Sequence, residues 1–117
     1  MYRKKFTVTK DWTALAMGSG SLQVLATPAL IAFAENTCAE LIAQELSADD
    51  TTVGTQINCK HLKATGLDQE IDISVKLIQS TGKKYEFSFQ AFEGEMLIGE
   101  GNHTRVKVNR VKFLRHV

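Results

Sequence analysis

Apolar residues recur at three- and four-residue steps through residues 26–46. The repeating positions are Leu30, Phe33, Ala34, Thr37, Cys38, Leu41 and Ile42. This spacing produces one apolar stripe along a helix, and such a stripe has to face a core. Thr27 can cap the first helical turn, and Pro28, the only proline, follows where its missing N–H costs nothing. The pattern therefore predicts the chain's only long helix.

Apolar and polar residues alternate after Thr51, which is typical of strands with one buried face. Four strands are predicted at residues 52–63, 70–79, 85–91 and 96–108, with tight turns at 81–83 and 93–95. The inward positions of the middle two are Ile71, Ile73, Val75 and Leu77, then Tyr85, Phe87, Phe89 and Ala91. In the first strand, strict alternation places Val53, Thr55, Ile57, Cys59 and His61 on one face.

The order of these elements predicts the fold class. A short basic edge strand at residues 2–9 precedes the helix, and the four antiparallel strands follow it. We expect an α+β fold in which one long helix is laid across an antiparallel sheet of about five strands, with residues 1–117 forming a single domain. Sheet edges need protection, and a dimer that extends the sheet would supply it.

Composition and charge exclude several classes of protein. The chain is 44% hydrophobic and 23% charged, with a formal net charge of +1, which argues against a dedicated nucleic-acid binder. No apolar run approaches the roughly 18 residues that span a bilayer, and the first residues lack a signal-peptide core, so we expect a cytoplasmic protein without a membrane partner. Cys38 and Cys59 have no histidine at ligand spacing. We expect buried reduced thiols, with no metal and no disulfide.

A glycine-serine segment at residues 18–21 interrupts the region before the helix. Apolar residues lie on both sides of it, among them Leu15, Leu22 and Val24. Both a flap that leads into a pocket and a plain surface connection fit this composition.

Three side chains in this layout could carry chemistry. Thr27 lies at the positive end of the helix, Glu35 lies two turns further on at the rim of the apolar stripe, and His61 points to the apolar side of the first strand after the helix. A hydroxyl, a carboxylate and an imidazole together suit acyl transfer. Each residue alone also has a structural interpretation: a helix cap, a solvated acid and a hydrogen-bonded core histidine.

Three segments resemble the fluoroacetyl-CoA thioesterase family of hot-dog proteins. They are LATPALIAFAENTCAELI, TVGTQINCKHLKATG and IGEGNHTRVKV, in the order and spacing of that family. The resemblance implies a sheet wrapped around a helix, a homodimer, and acyl-CoA hydrolysis at a site between subunits. It also implies that Thr27, Glu35 and His61 are catalytic, that Gly54 makes a backbone contact near the thioester, and that Arg105 lies near the cofactor end of the substrate.

The segment before the helix departs from that family, because residues 16–24 are short and contain no aromatic residue. Discrimination of fluoroacetate is therefore unsupported, and the acyl group stays open. No cofactor or metal is expected beyond the CoA of the substrate, although a protein-bound pantetheine carrier is also compatible. Glu35 could attack the thioester or activate water, and the assembly could be a homodimer or a dimer of dimers. Lys60, Lys63, Arg105 and Lys107 are candidates for contacts with the CoA phosphates.

Other functions remain possible on the same fold. A noncatalytic acyl-CoA-binding module would use the same cavity, but it would gain from replacing a partly buried acid with an apolar residue. An enoyl-CoA hydratase also needs an acid and a histidine, but it leaves Thr27 unexplained. A structural dimer without a ligand is the third alternative.

Overall fold

The computed structural model describes residues 1–117 and contains one five-stranded antiparallel sheet, a long helix and short helical segments. The strands are β1 (Tyr2–Thr7), β2 (Asp50–His61), β3 (Glu70–Thr81), β4 (Lys84–Glu93) and β5 (Met96–Asn109). The helices are α1 (Ala14–Met17), α2 (Thr27–Ala43) and α3 (Arg110–Leu114), with a 3₁₀ turn at Lys10–Trp12. The sheet order is β1-β3-β4-β5-β2, and every neighbouring pair is antiparallel. The predicted arrangement of one long helix across five strands is confirmed.

The start of α2 differs from the prediction in one respect. The helix is capped at Ala26, which makes no side-chain cap, and Thr27 occupies the first helical position. The prediction that Thr27 caps the helix is therefore wrong, because its hydroxyl instead pairs with His61. The helix also ends at Ala43 rather than at Leu46.

The core lies between α2 and the concave face of the sheet. The helix contributes Leu30, Phe33, Ala34, Cys38 and Ile42, and the sheet contributes Ile71, Ile73, Val75, Phe87, Phe89 and Ala91. The predicted inward faces of β3 and β4 are thus confirmed. Burial raises the pKa of the Cys38 thiol to about 12 and also raises the pKa of the half-buried Cys59. Both are free cysteines, and burial keeps their thiols protonated and unreactive.

A β-bulge in β2 changes which residues face the helix. The register against β5 shifts between Gly54 and Gln56, so one extra residue is accommodated at Thr55. Gly54 pairs with the buried Arg105, which places Gly54 on the helix side and its neighbour Val53 on the opposite side. The prediction that Val53 and Thr55 share the face of Ile57, Cys59 and His61 is wrong, because strict alternation does not survive the bulge.

Strands β1 and β2 form the two edges of the sheet. Strand β2 is twelve residues long, and within the protomer only its β5 side is paired. A long unpaired edge is a template for pairing with another chain. None of the helices combines the length and the apolar character needed to cross a membrane.

Candidate functional site

Thr27 and His61 form a hydrogen-bonded pair at the start of α2. The helix presents Thr27 at its first turn, and β2 ends beside it at His61, so that Thr27 Oγ1 lies 2.8 Å from His61 Nδ1. Burial lowers the pKa of His61, and the nearby Lys63 backbone opposes this effect only in part. His61 is therefore neutral near pH 7. Its buried Nε2 has no well-formed hydrogen bond within the protomer.

The pair opens onto a cleft of about 290 Å³. Its walls include Ala14, Ser19, Val24, Leu25, Leu62 and Lys63. Ala14 N–H donates to the Val24 carbonyl at 2.8 Å, which holds α1 against the residues that precede α2. Ser19 of the glycine-serine segment lines the cleft, so this segment lies beside a pocket. That it acts as a flap stays a prediction.

Glu35 belongs to a different part of the protomer. It follows Thr27 by eight positions, which corresponds to roughly 12 Å along the helix axis. Its side chain is 39% exposed, and its Oε2 lies 3.9 Å from Nε2 of His103. Gly54 makes room for this carboxylate, because a Cβ built on Gly54 would lie 2.8 Å from Oε2. A single protomer thus brings Thr27 and His61 together but leaves Glu35 apart from them.

Arg105 is buried beneath Glu35, with 8% of its surface exposed. Its Nε donates to Thr52 Oγ1 at 2.8 Å, and its Nη2 donates to the Thr52 carbonyl at 2.9 Å. Its Nη1 lies 3.1 Å from His103 Nε2. Burial lowers the pKa of Arg105, and the negative charge of Glu35 opposes that change. The expected contact between Arg105 and the substrate stays a prediction, as does the backbone contact expected of Gly54.

His103 is the residue that sequence reasoning missed. It is 2% exposed, and its Nδ1 lies 2.8 Å from the Gln56 carbonyl. Burial lowers its pKa, Arg105 adds to this effect, and the Gln56 backbone and Glu35 oppose it. The signal was the alternation of Gly101, His103 and Arg105 along β5, because the period of two places all three on the helix side.

The lysines proposed for CoA phosphates occupy different faces. Lys63 lines the cleft beside His61, whereas Lys60 lies with Asn58 and Asn102 in a polar groove on the opposite face of the sheet. No three or more histidine, cysteine, aspartate or glutamate side chains are grouped in a way that could hold a metal ion.

Solved structures share this fold. A mutant of the fluoroacetyl-CoA-specific thioesterase FlK, in complex with fluoroacetate and CoA, superposes with a TM-score of 0.94 at 22% identity, covering 99% of this chain and 95% of that one. A hot-dog-like protein from Thermanaerovibrio acidaminovorans superposes at 0.88 with 17% identity, covering 97% and 84%. A Thermus thermophilus thioesterase superfamily member gives 0.88 at 19% identity, covering 97% and 85%. The fold is therefore the hot-dog fold.

Sequence comparison agrees with the structural likeness. The fluoroacetyl-CoA thioesterase of Streptantibioticus cattleyicolor is 26% identical over 91 residues, which is 78% of this chain and 66% of that enzyme. The family described as fluoroacetyl-CoA-specific thioesterase matches residues 8–111. The chain therefore belongs to the fluoroacetyl-CoA-specific thioesterase family, whose named members are thioester hydrolases.

Proposed function

We propose that this chain hydrolyses an acyl-CoA thioester to a free acid and CoA, at a site that two copies share. The Thr27–His61 hydrogen bond at the mouth of the cleft carries this proposal. It joins a hydroxyl to a neutral imidazole at the positive end of a helix, which is an arrangement suited to acyl transfer. Family membership and the likeness to a thioesterase complexed with fluoroacetate and CoA support the same reaction.

The thioester carbonyl binds at the start of α2 in this mechanism. Pro28 has no N–H, so the helix offers the free N–H groups of Thr27 and Ala29, together with the Thr27 hydroxyl, to a developing oxyanion. Losing one such donor typically costs about 3–4 kcal/mol of barrier. Addition of an oxygen nucleophile to the carbonyl carbon is followed by cleavage of the C–S bond. His61, neutral at the outset, accepts the proton that the attacking water gives up, directly or by way of Glu35, and passes it to the departing CoA sulfur.

Glu35 enters the site from the second copy. Its carboxylate emerges partly exposed beside Gly54 on β2, the strand whose outer edge is unpaired. If two β2 edges pair, the two α2 helices come to lie side by side, and Glu35 of one copy can approach the helix start of the other. Glu35 then either activates a water molecule or attacks the carbonyl itself, forming a mixed anhydride that water afterwards hydrolyses to the free acid and the restored carboxylate, and both routes stay open.

Mixing two inactive variants tests this shared site. Thr27→Ala keeps Glu35, and Glu35→Gln keeps the Thr27–His61 pair. A mixed dimer of the two has one complete site if the residues come from different copies. After unfolding and refolding an equal mixture, we expect about one quarter of the wild-type rate of thiol release, because half of the dimers are mixed and each holds one intact site of two. An inactive mixture of properly folded dimers would contradict the shared site, and a wild-type protein without thiol release would contradict the hydrolysis itself.

Rates of thiol release from a panel of thioesters will identify the acyl group that the protein prefers. The panel runs from acetyl to long-chain and aromatic acyl-CoAs and includes fluoroacetyl-CoA. The apolar walls formed by Val24, Leu25 and Leu62 support an apolar acyl group, since no charged side chain other than Lys63 lines the cleft. We further propose that the protein acts in the cytoplasm as a homodimer.

A further inference from the structure

His103 is a buried imidazole that the proposed hydrolysis does not use. It lies on β5 beneath α2, between the Gln56 carbonyl on one side and the Arg105 guanidinium on the other. Its ring also faces the ring of Phe87, at a centroid distance of 6.4 Å and an interplanar angle of 28°. This polar ring has neighbours on three sides in the floor of a candidate site, so it can hold one of them in place.

The two neighbours of His103 determine its protonation state. A carbonyl oxygen only accepts hydrogen bonds, so the Nδ1 that faces Gln56 must carry a proton. A guanidinium only donates, so the Nε2 that faces Arg105 must present a lone pair. His103 is therefore the neutral tautomer with its proton on Nδ1, and burial favours this uncharged form.

In this tautomer His103 cannot donate a hydrogen bond to Glu35. The carboxylate Oε2 is 3.9 Å from Nε2, but two acceptors face each other there, so no hydrogen bond joins them. The positive charge beside Glu35 comes from Arg105. A Cβ on Gly54 would lie 2.8 Å from Glu35 Oε2 and 3.4 Å from Arg105 Nη1, which shows that the two charged groups border the same small space.

We propose that His103 is a positioning residue for the proposed hydrolysis, which holds the Arg105 guanidinium beside the Glu35 carboxylate. Thr52 anchors two of the three guanidinium nitrogens, and His103 anchors Nη1, the nitrogen nearest to Gly54, in the small space that the Glu35 carboxylate also borders. Without this third anchor the guanidinium can pivot about the line through Nε and Nη2, which Thr52 still holds. This motion displaces Nη1, so the position of the positive charge relative to Glu35 is no longer fixed. The inference rests on the proposed function of Glu35.

A purely structural role for His103 is the alternative. Its Nδ1 binds the Gln56 carbonyl directly after the bulge in β2, so the ring could serve only to hold that bulge. The two roles use different ring nitrogens, and substitution separates them. His103→Gln can place an oxygen near the position of Nε2 and keep the acceptor for Arg105. His103→Asn can keep a donor near Nδ1 for Gln56 but does not reach Arg105.

The test compares these two variants in steady-state thioester hydrolysis. We expect His103→Gln to keep kcat within about threefold of the wild type, and His103→Asn to lose roughly ten- to hundredfold in kcat with little change in KM, because misplaced groups act mainly on the chemical step. The reverse order, or an equal loss in both variants, would overturn the positioning role. If wild-type protein released no thiol, the proposed function would fail before this comparison began.

A measurement on the unmodified protein tests the geometry without activity or mutation. Nitrogen-15 NMR of the imidazole rings distinguishes the two neutral tautomers and the cation. We expect His103 to be neutral at pH 7 with its proton on Nδ1, whether or not the protein hydrolyses any thioester. A proton on Nε2, or a charged ring at pH 7, would sink the inference, since neither form accepts a hydrogen bond from Arg105.

Discussion

The start of α2 and its middle both carry polar groups against the sheet, yet they are built in opposite ways. At the start, one hydrogen bond joins Thr27 to His61, and His61 Nε2 lacks a well-formed partner. In the middle, Arg105 and His103 are at least nine-tenths buried and share four hydrogen bonds with each other and with the backbone and hydroxyl of β2. A group that transfers protons needs a nitrogen that is free to exchange one, whereas a group that holds a charge in place needs several hydrogen bonds to fixed partners.

Each region lacks what the other has. The helix start offers a neutral base and helix N–H groups but no acid, while the middle offers Glu35, which at 39% exposure is the accessible member of its cluster. Pairing through the β2 edge would unite the two regions of different copies. The start of α2 would then be the reactive part of the site, and the middle would be the part that holds Glu35 in a fixed electrostatic environment.

The largest effect is expected from removing the two reactive groups. Glu35→Gln and His61→Ala should each lower turnover by roughly a hundredfold or more, as is usual for lost acid–base groups, while the melting temperature changes little. The chain supplies a matched control in Glu40, which lies on the same helix and is 42% exposed but pairs with Lys4. Glu40→Gln should leave turnover unchanged. Unchanged hydrolysis of short acyl-CoAs in both Glu35→Gln and His61→Ala would rule out their catalytic assignment.

A smaller effect is expected from crowding Glu35 without removing it. In Gly54→Ala the new Cβ would contact Glu35 Oε2, the mobile end of a flexible side chain, so the carboxylate should move aside. The Cβ would also lie 3.0 Å from His103 Cε1, which is held in place. We expect kcat to fall roughly ten- to fiftyfold, because a displacement of about 1 Å at a reacting group is costly.

Gly66 is the control for this crowding experiment. It has an ordinary backbone conformation, and a Cβ built on it would meet nothing within 4 Å. Gly66→Ala should therefore leave kcat unchanged. An active Gly54→Ala with wild-type kcat would show that the position of Glu35 against β2 does not matter, and would remove the middle of the helix from the catalytic account.

The differences between prediction and structure follow the same division. The stripe of α2 and the inward faces of β3 and β4 were predictable because their periodicity is local and each residue faces a continuous core. The bulge in β2 was not predictable in this way. It places Gly54 against Glu35 and Arg105, and both residues are distant from Gly54 in the sequence. The role of the Thr27 hydroxyl was also not predictable from its neighbours in sequence. Threonine before proline signals a cap, but His61 offers a partner that only the tertiary fold brings near.

The smallest effect is expected in the dependence of the melting temperature on pH, which distinguishes His61 from His103. Burial lowers the pKa of both His61 and His103 in the folded protein, so the unfolded chain binds protons first as the pH falls through the ordinary value of 6.5. Their contribution to stability is therefore complete above pH 6.5 and is lost below it. The melting temperature should therefore fall by several degrees between pH 7.5 and pH 5.5.

The slope of melting temperature against pH is the informative quantity, since each substitution also changes stability at neutral pH. Replacing His103 by Gln should flatten the slope more than replacing His61 by Ala, because His103 is more deeply buried and faces the cation of Arg105. A larger flattening in His61→Ala would mean that the helix start, and not the middle, is the more strongly desolvated of the two regions, which would reverse the roles of a reactive start and a fixed middle.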